Sequence, residues 1–287
     1  MIEKNITTWE EFKKALKESI SEDTTYNIKN DLDATSDILT KNIECISDNK
    51  KNKVFKGNGY KINGITAYGD VIVFDTDQQY NYNFRFYDIK FTNFMVESGT
   101  LIHLSRYSYA NEFEIFKDLF VNCFFNGVCK TFIATPIQKR TCYFTKCSFN
   151  VRCENFCGSG STFDSCYIII TPLQDISTFD SFSKLKNSYI EGTIKRDAPS
   201  SKILTPNFTD NNIFNCKVII TNYSSSATYY VHESNEPVLI NKDKLLKKDG
   251  VTPITNIETN TNIYFLTDAQ MKNKDYIQQN TTFPLYG

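Results

Sequence analysis

A short pattern of apolar and polar positions recurs through the middle of the chain. Each copy has a large apolar residue, two variable residues, a small Cys or Ser, one variable residue and a second apolar residue. This alternation is typical of a β-strand with one face toward a core. The copies occupy residues 120–125, 144–149, 163–168, 185–190 and 213–218.

The spacing of the copies distinguishes between repeat folds. Their small residues follow one another at intervals of about 19 to 28 positions, which lies in the range of solenoid repeats. A repeat of about 22 residues has room for three short strands and their turns but not for two helices. The pattern therefore predicts an all-β solenoid, a parallel β-helix, in which the small residues stack in one internal column. The predicted core ladder consists of Cys123, Cys147, Cys166, Ser188 and Cys216.

The two ends of the chain predict caps. Thr8 and Glu11 match a helix capping box at the start of an amphipathic segment, which predicts a helix from about Trp9 to Ser19. Residues 267–272 open in the same way, and residues 282–285 carry apolar groups able to dock on a last repeat. We therefore divide the chain into an N-terminal cap helix (1–25), a parallel β-helix (26–222) and an irregular C-terminal region with a cap (223–287).

Composition supports a folded β-protein and excludes several classes of partner. Phe (23) and Tyr (17) are abundant, whereas Gly (11) and Pro (7) are few, so strand formers outnumber breakers. Lys and Arg (32) nearly balance Asp and Glu (33), which argues against binding to nucleic acid or to an anionic membrane. The start of the chain lacks an apolar signal core, and no segment reaches the length of a membrane span. We expect synthesis in a cytoplasm without a signal peptide.

The cysteines predict reduced thiols rather than disulfides or a metal site. Nine Cys is an odd number in a chain for which no secretion is expected. Cys142, Cys147, Cys153 and Cys157 are close in sequence, but their spacings do not form the paired knuckles of a structural zinc site. No metal and no other cofactor is predicted, since nucleotide-binding glycine motifs are also absent.

Acidic residues supply only weak candidates for catalysis. Asp75 and Asp77 would lie on one face of a strand, and paired carboxylates serve glycosidases and lyases of the parallel β-helix fold. Two further pairs are Glu112 with Glu114 and Asp164 with Asp180. No basic residue clearly joins any pair, and the two histidines, His103 and His232, are far from a nucleophile motif. Catalysis is therefore the less favoured interpretation.

Exposed tyrosines are weak candidates for binding sugars. Tyr80 and Tyr82 alternate with Asn, and Tyr107 and Tyr109 flank a serine. A tyrosine ring can stack on a sugar while a neighbouring amide bonds its hydroxyls. The alternative is that these rings only pack along the outer sheet faces.

A family resemblance rests on residues 8–12, 55–60, 266–272 and 283–285. The opening cap, the Gly57-Asn58-Gly59 turn and the closing segment resemble those of single-stranded right-handed parallel β-helix proteins of the pectate-lyase-like type. In particular they resemble proteins of tailed bacteriophages or phage-derived elements of low-GC Gram-positive, clostridial-like bacteria. The resemblance implies a virion component and supplies no catalytic residues.

The expected function is that of a structural or attachment component of a phage virion, associated with the tail, baseplate, neck or fibre. The alternative is a tail-associated polysaccharide depolymerase, a glycosidase or lyase of the same fold. The expected partners are other virion proteins and a host surface polysaccharide, with a trimer if the protein is a tailspike. The expected location is the virion, after synthesis in the host bacterial cytoplasm.

Overall fold

The computed structural model describes most of the chain. The described residues are 1–46, 51–75, 84–105, 116–134, 142–157, 161–173, 178–179, 184–196, 204–205, 207–208, 212–231, 234, 236–258 and 262–273.

The secondary structure is dominated by strands, numbered here in chain order. The first part contains β1 (Ile2–Ile6), α1 (Trp9–Lys17), β2 (Thr24–Ile28), β3 (Leu32–Asp33), β4 (Ile38–Leu39), β5 (Ile43–Cys45), β6 (Lys53–Lys56), β7 (Lys61–Asn63), β8 (Thr66–Ala67) and β9 (Ile72–Asp75). The middle contains β10 (Phe84–Tyr87), β11 (Lys90–Ser105), β12 (Phe116–Val121), β13 (Phe124–Ala134), β14 (Cys142–Thr145), β15 (Ser148–Cys157), β16 (Ser161–Asp164), β17 (Tyr167–Pro172), β18 (Thr178–Phe179) and β19 (Lys184–Lys186). The last part contains β20 (Tyr189–Arg196), β21 (Asn207–Phe208), β22 (Asn212–Ile220), β23 (Tyr229–Tyr230), β24 (Val238–Asn241), a 3₁₀ turn (Lys242–Lys244), β25 (Leu245–Leu246), β26 (Ile257–Glu258), β27 (Ile263–Leu266) and α2 (Asp268–Lys272).

Two large sheets contain nearly all of these strands, and neighbouring strands within them run parallel. Sheet A has the order β1-β2-β6-β10-β12-β14-β16-β19-β21. Sheet B has the order β27-β24-β22-β20-β17-β15-β13-β11-β7-β3, with β4, β5, β8, β9, β18 and β25 pairing beside this path. The strands β23 and β26 form a third, two-stranded sheet. The predicted all-β class is confirmed.

From β10 to β20 the chain passes from each sheet A strand to a sheet B strand through a tight corner. The first corner residue has a positive φ, with values of 55° at Asp88, 53° at Asn122, 55° at Lys146, 57° at Ser165 and 45° at Asn187. Asn and Asp tolerate this left-handed conformation, whereas other side chains adopt it at a cost of about 1–2 kcal/mol. The backbone of each corner is therefore locally strained, and the packing of the two sheets must offset this cost.

Backbone hydrogen bonds continue around each corner. The Asn122 N–H donates to the carbonyl of Thr145 at 2.9 Å, and the Ser148 N–H donates to the carbonyl of Cys123 at 2.9 Å. Because the ladder of hydrogen bonds continues through the turns, these backbone N–H and C=O groups are paired. Each corner is thereby fixed in register with the next.

A small buried residue follows the left-handed residue in four corners: Cys123, Cys147, Cys166 and Ser188. The Cys147 thiol donates to the carbonyls of Phe120 and Thr145, both at 3.4 Å. Ser188 makes the equivalent bonds through its hydroxyl, to the carbonyls of Phe163 at 3.3 Å and Lys186 at 2.7 Å. These side chains therefore tie each corner to the sheet A strands beside it.

The prediction that Cys216 continues this ladder is wrong. Cys216 is buried, but it lies within β22 and pairs in register with Gly192 of β20. The position next to Ser188 belongs to Asn212, whose Oδ1 accepts from the Ser188 N–H at 2.9 Å. The Asn212 Nδ2 donates to the carbonyl of Leu185 at 2.9 Å, as the small side chains do in the other corners.

Stacked aromatic rings fill the space between the sheets. Along sheet A, rings in register pack with centroids 4.8–5.2 Å apart, a spacing set by neighbouring strands. This sheet A stack consists of Tyr26, Phe55, Phe86, Phe120, Phe144 and Phe163. Along sheet B, Phe91, Phe125 and Phe149 stack at 5.0 and 5.2 Å and meet the first stack edge-on. Offset and edge-on contacts are the favourable geometries for phenyl rings.

Helix α1 packs against the first strands of the core. The predicted capping box of Thr8 and Glu11 is confirmed, and the helix ends at Lys17. Its buried face includes Trp9 and Phe12, and the Phe12 ring meets Phe55 edge-on at 5.4 Å. The helix therefore covers the first rings of the sheet A stack.

The second predicted capping box, of Thr267 and Gln270, is also confirmed and opens α2. Met271 of α2 is buried against Ile213, Leu239 and Leu266. Residues 282–285, expected to dock nearby, lie outside the described residues. Within the described part of the chain, neither helix has the length and apolar character needed to cross a membrane.

Replacing Lys146 with Asn should raise the free energy of unfolding by about 1 kcal/mol, because Asn adopts the left-handed conformation at lower cost. Urea denaturation would measure the change. Lys130→Asn, at an exposed position within β13, is the matched control and should be neutral or slightly destabilising. If both substitutions changed the free energy of unfolding equally, the inference that the corner at Lys146 is strained would be wrong.

Replacing Cys147 with Asp should destabilise the protein by several kcal/mol, because a carboxylate would be buried at a site built for a weak donor. Cys147→Ser should cost only about 1 kcal/mol, since Ser188 makes equivalent bonds at its corner. Burial raises the pKa of the Cys147 thiol well above its usual value, so a bulky thiol reagent should label it only after denaturation. Rapid labelling of the native protein would contradict the burial.

Candidate binding surface

The outer face of sheet B presents regular columns of side chains to solvent. Strand alternation directs every second residue outward, and the parallel register aligns these residues from strand to strand. The column nearest the corners, which we call the first column, consists of Lys61, Lys90, Phe124, Ser148, Tyr167 and Tyr189. The next, the second column, consists of Asn63, Thr92, Asn126, Asn150, Ile169 and Glu191.

The second column contains several amides. At its start, Thr92 Oγ1 and Asn93 Nδ2 both donate to Asn63 Oδ1, at 3.1 and 2.8 Å. Asn126 is half-buried and Asn150 is exposed. Each free amide offers both donors and an acceptor to a ligand.

A hydrogen-bonded network fixes the C-terminal end of the first column. The Tyr189 hydroxyl donates to Glu191 Oε2 at 2.6 Å and accepts from Asn215 Nδ2 at 3.0 Å. Asn241 Nδ2 donates to Asn215 Oδ1 at 2.8 Å and to Asp268 Oδ1 at 3.0 Å, which links the network to α2. Burial, and then the bond to Glu191, raises the pKa of Tyr189. Tyr189 is therefore a neutral, fixed ring.

Tyr167 stacks on this fixed ring. The centroids of Tyr167 and Tyr189 are 4.8 Å apart, and their planes differ by 8°. Burial, and next the charge of Glu191, raises the pKa of Tyr167. Because Tyr189 covers one face of the Tyr167 ring, the other face is directed toward Ser148 on β15.

A second polar group lies farther along sheet B. Asp70 Oδ1 accepts from the Thr100 N–H at 2.8 Å, and Asp70 Oδ2 bonds His103 Nδ1. With the proton on Nδ1, the Nε2 atom keeps its lone pair, and the side chain of His103 is 30% exposed. The carboxylate thus orients an imidazole that could accept a proton from a ligand. The sequence did not indicate this pair, because Asp70 and His103 are 33 positions apart.

Most of the predicted acidic candidates lie outside the described residues. Asp75 pairs in register with Ser105, while Asp77 and the pair Glu112 and Glu114 lie outside the described residues. Asp164 accepts hydrogen bonds from Ser165 at 2.9 Å and Asn187 at 3.3 Å, so it supports the corners. Its suggested partner Asp180 and the histidine His232 also fall outside the described part of the chain.

The predicted tyrosine candidates, Tyr80, Tyr82, Tyr107 and Tyr109, lie outside the described residues as well. The first column contains the aromatic residues Phe124, Tyr167 and Tyr189, which the sequence reasoning did not select as site residues. Each stands at the outward position directly after a small corner residue. That position was the signal that could have identified them.

All nine cysteines are buried free thiols. Burial raises the pKa of Cys129, Cys142 and Cys147, which disfavours the thiolates that zinc would require. Among the described residues, no group of three or more His, Cys, Asp or Glu side chains could hold a metal ion.

Residues 3–115 match the family model described as "Putative pectate lyase-like adhesive domain". The match covers less than half of the chain and agrees with the pectate-lyase-like part of the resemblance noted from the sequence. No curated protein matches the chain.

Tyr189→Phe should lower the free energy of unfolding by about 1–2 kcal/mol, because Glu191 and Asn215 would each lose a partner. Tyr167→Phe is the matched control. The Tyr167 hydroxyl has no hydrogen bond within the described residues, so its removal should change stability by less than about 0.5 kcal/mol. Thermal and urea denaturation would measure both variants, and equal losses would contradict the network.

Proposed function

We propose that the chain winds as a right-handed parallel β-helix and serves as a structural or attachment component of a bacteriophage virion, without enzymatic activity. Its partners would be other virion proteins and a host surface polysaccharide. It would act as a trimer if it forms a tailspike, and it would be made in the host cytoplasm before assembly.

The observation that carries the proposal is the repeated corner between two parallel sheets. Each corner keeps its backbone bonds to the next level, so strands can be added along one axis with little freedom between them. Such a rod suits the transmission of a binding event along a particle. The winding is supported by the return of the chain to sheet A after each sheet B segment from β10 to β20.

The attachment role draws on two further observations. The family that matches residues 3–115 is described as adhesive. The outer face of sheet B combines half-buried aromatic rings with amides, a composition suited to contacts with sugars.

The second candidate function is a polysaccharide depolymerase, and the pair of Asp70 and His103 favours it. A histidine oriented by a carboxylate is an arrangement used for general-base catalysis. The pair lies beside the strand ends where Asp75 and Ser105 are in register. We prefer attachment because the family model that matches residues 3–115 is described as adhesive.

Fluorescently labelled full-length protein should bind intact cells of susceptible low-GC Gram-positive strains, and periodate oxidation of their surface polysaccharide should reduce binding at least tenfold. The double variant Asn126→Arg/Asn150→Arg should also reduce it, since both side chains face outward from sheet B. Asn27→Arg, on the outer side of sheet A, is the matched control. Binding that survives oxidation and the double variant would contradict the attachment role.

A depolymerase would release reducing ends or unsaturated sugars from the same polysaccharide. We expect no release from the wild-type protein, measured by a reducing-sugar assay and by absorbance of unsaturated products. Turnover that His103→Ala or Asp75→Asn abolishes without loss of folding would overturn the preference for attachment. Mass spectrometry and immunogold labelling of purified particles would test the virion location.

A further inference from the structure

The first column of the outer face contains a gap between two aromatic residues. Phe124, Ser148 and Tyr167 occupy equivalent positions on β13, β15 and β17. All three are half-buried, so each is reachable from solvent. Because the Ser148 side chain is much shorter than the two aromatic side chains, it does not reach the height of the rings on either side.

The width of this gap follows from the strand spacing. Neighbouring strands lie about 4.8 Å apart, so Phe124 and Tyr167 are separated by about 10 Å at the level of the sheet. A ring in van der Waals contact needs about 4 Å on each side. The gap therefore accepts one puckered six-membered ring, and it is too narrow for two.

One wall of the gap is preorganised. Tyr189, fixed by Glu191 and Asn215, stacks on the far face of Tyr167. The Tyr167 ring therefore presents its near face to the gap without having to be ordered by a ligand. Preorganisation of this kind lowers the entropic cost of binding.

Polar groups without partners line the floor and one side. Within the described residues, the Ser148 hydroxyl, the Tyr167 hydroxyl and the amides of Asn126 and Asn150 make no hydrogen bond. Asn126 and Asn150 are adjacent in register in the second column. Together these groups offer donors and acceptors beside an apolar slot, the combination that a sugar ring requires.

We propose that this slot binds one pyranose residue of an uncharged polysaccharide between Phe124 and Tyr167. The sugar's C–H faces would contact the two rings, and its hydroxyl groups would bond Ser148, Asn126 and Asn150. This inference rests on the proposed attachment role and names the ligand class of the surface.

The two-sided slot favours a particular stereochemistry. A β-glucopyranoside has equatorial substituents, so both of its faces present C–H bonds to aromatic rings. A galactopyranoside places one hydroxyl axially, and that hydroxyl would have to be desolvated against one of the walls. The slot should therefore discriminate between the two sugars.

The test is titration of the full-length protein with methyl β-D-glucopyranoside, followed by saturation-transfer NMR and calorimetry. We expect a Kd of about 1 mM, appropriate to a single ring, and at least fivefold weaker binding of methyl β-D-galactopyranoside. Tyr167→Ala should weaken binding at least tenfold. Tyr264→Ala, which removes an exposed tyrosine from β27, is the matched control and should leave binding unchanged.

A second variant distinguishes occupation of the slot from a loss of folding. Ser148→Phe would fill the gap with a ring and should abolish binding, while circular dichroism and the melting temperature remain at or above wild-type values. Wild-type affinity in Ser148→Phe, or no binding of the glucoside to the wild-type protein, would overturn the proposal. Cell binding without glucoside binding would overturn the slot alone, whereas glucoside binding without cell binding would overturn the attachment role alone.

Discussion

The left-handed corner between the two sheets is the constraint on which the rest of the structure depends. A residue with positive φ turns the chain sharply, and a small side chain after it bonds the carbonyls on the inner side of the turn. The residue after the left-handed position is buried in each of these corners, as a small Cys or Ser in four of them and as the larger Ile89 after Asp88. The register of both sheets, and so the columns on their outer faces, follows from this one geometry.

Much of the fold could be predicted from the sequence because the corner leaves a residue pattern. The small residue between two apolar positions predicted four buried corner residues and the parallel strands beside them. The same pattern failed at Cys216, since a small residue preceded by Asn215 also occurs within the continuous strand β22. Asn212 follows Ser188 at about the usual repeat interval, but its amide side chain does not match the Cys or Ser of the pattern.

The candidate surface was less predictable, because it depends on neighbours in the sheet rather than in the sequence. Phe124, Ser148 and Tyr167 each occupy an ordinary position within their own repeats, and only the register of three strands brings them together. The bond between Asp70 and His103 likewise joins distant parts of the chain, the loop between β8 and β9 and the strand β11. Sequence reasoning instead favoured clusters of neighbouring residues, such as Asp75 with Asp77 or Tyr80 with Tyr82, because it has access only to proximity along the chain.

Because the stacked phenyl rings of the core are alike, a whole repeat could be lost from the gene without leaving an unmatched ring. Residues 122–145 run from one left-handed position to just before the next, and their excision would bring Phe120 against Phe163 and Phe91 against Phe149. Both new contacts would again join phenyl rings in sheets of unchanged register. Unequal recombination could therefore shorten or lengthen the two sheets by whole repeats while the core between them remains packed. The same event would exchange Phe124 for Lys90 beside Ser148, so a change in length would also change the composition of the outer face of sheet B.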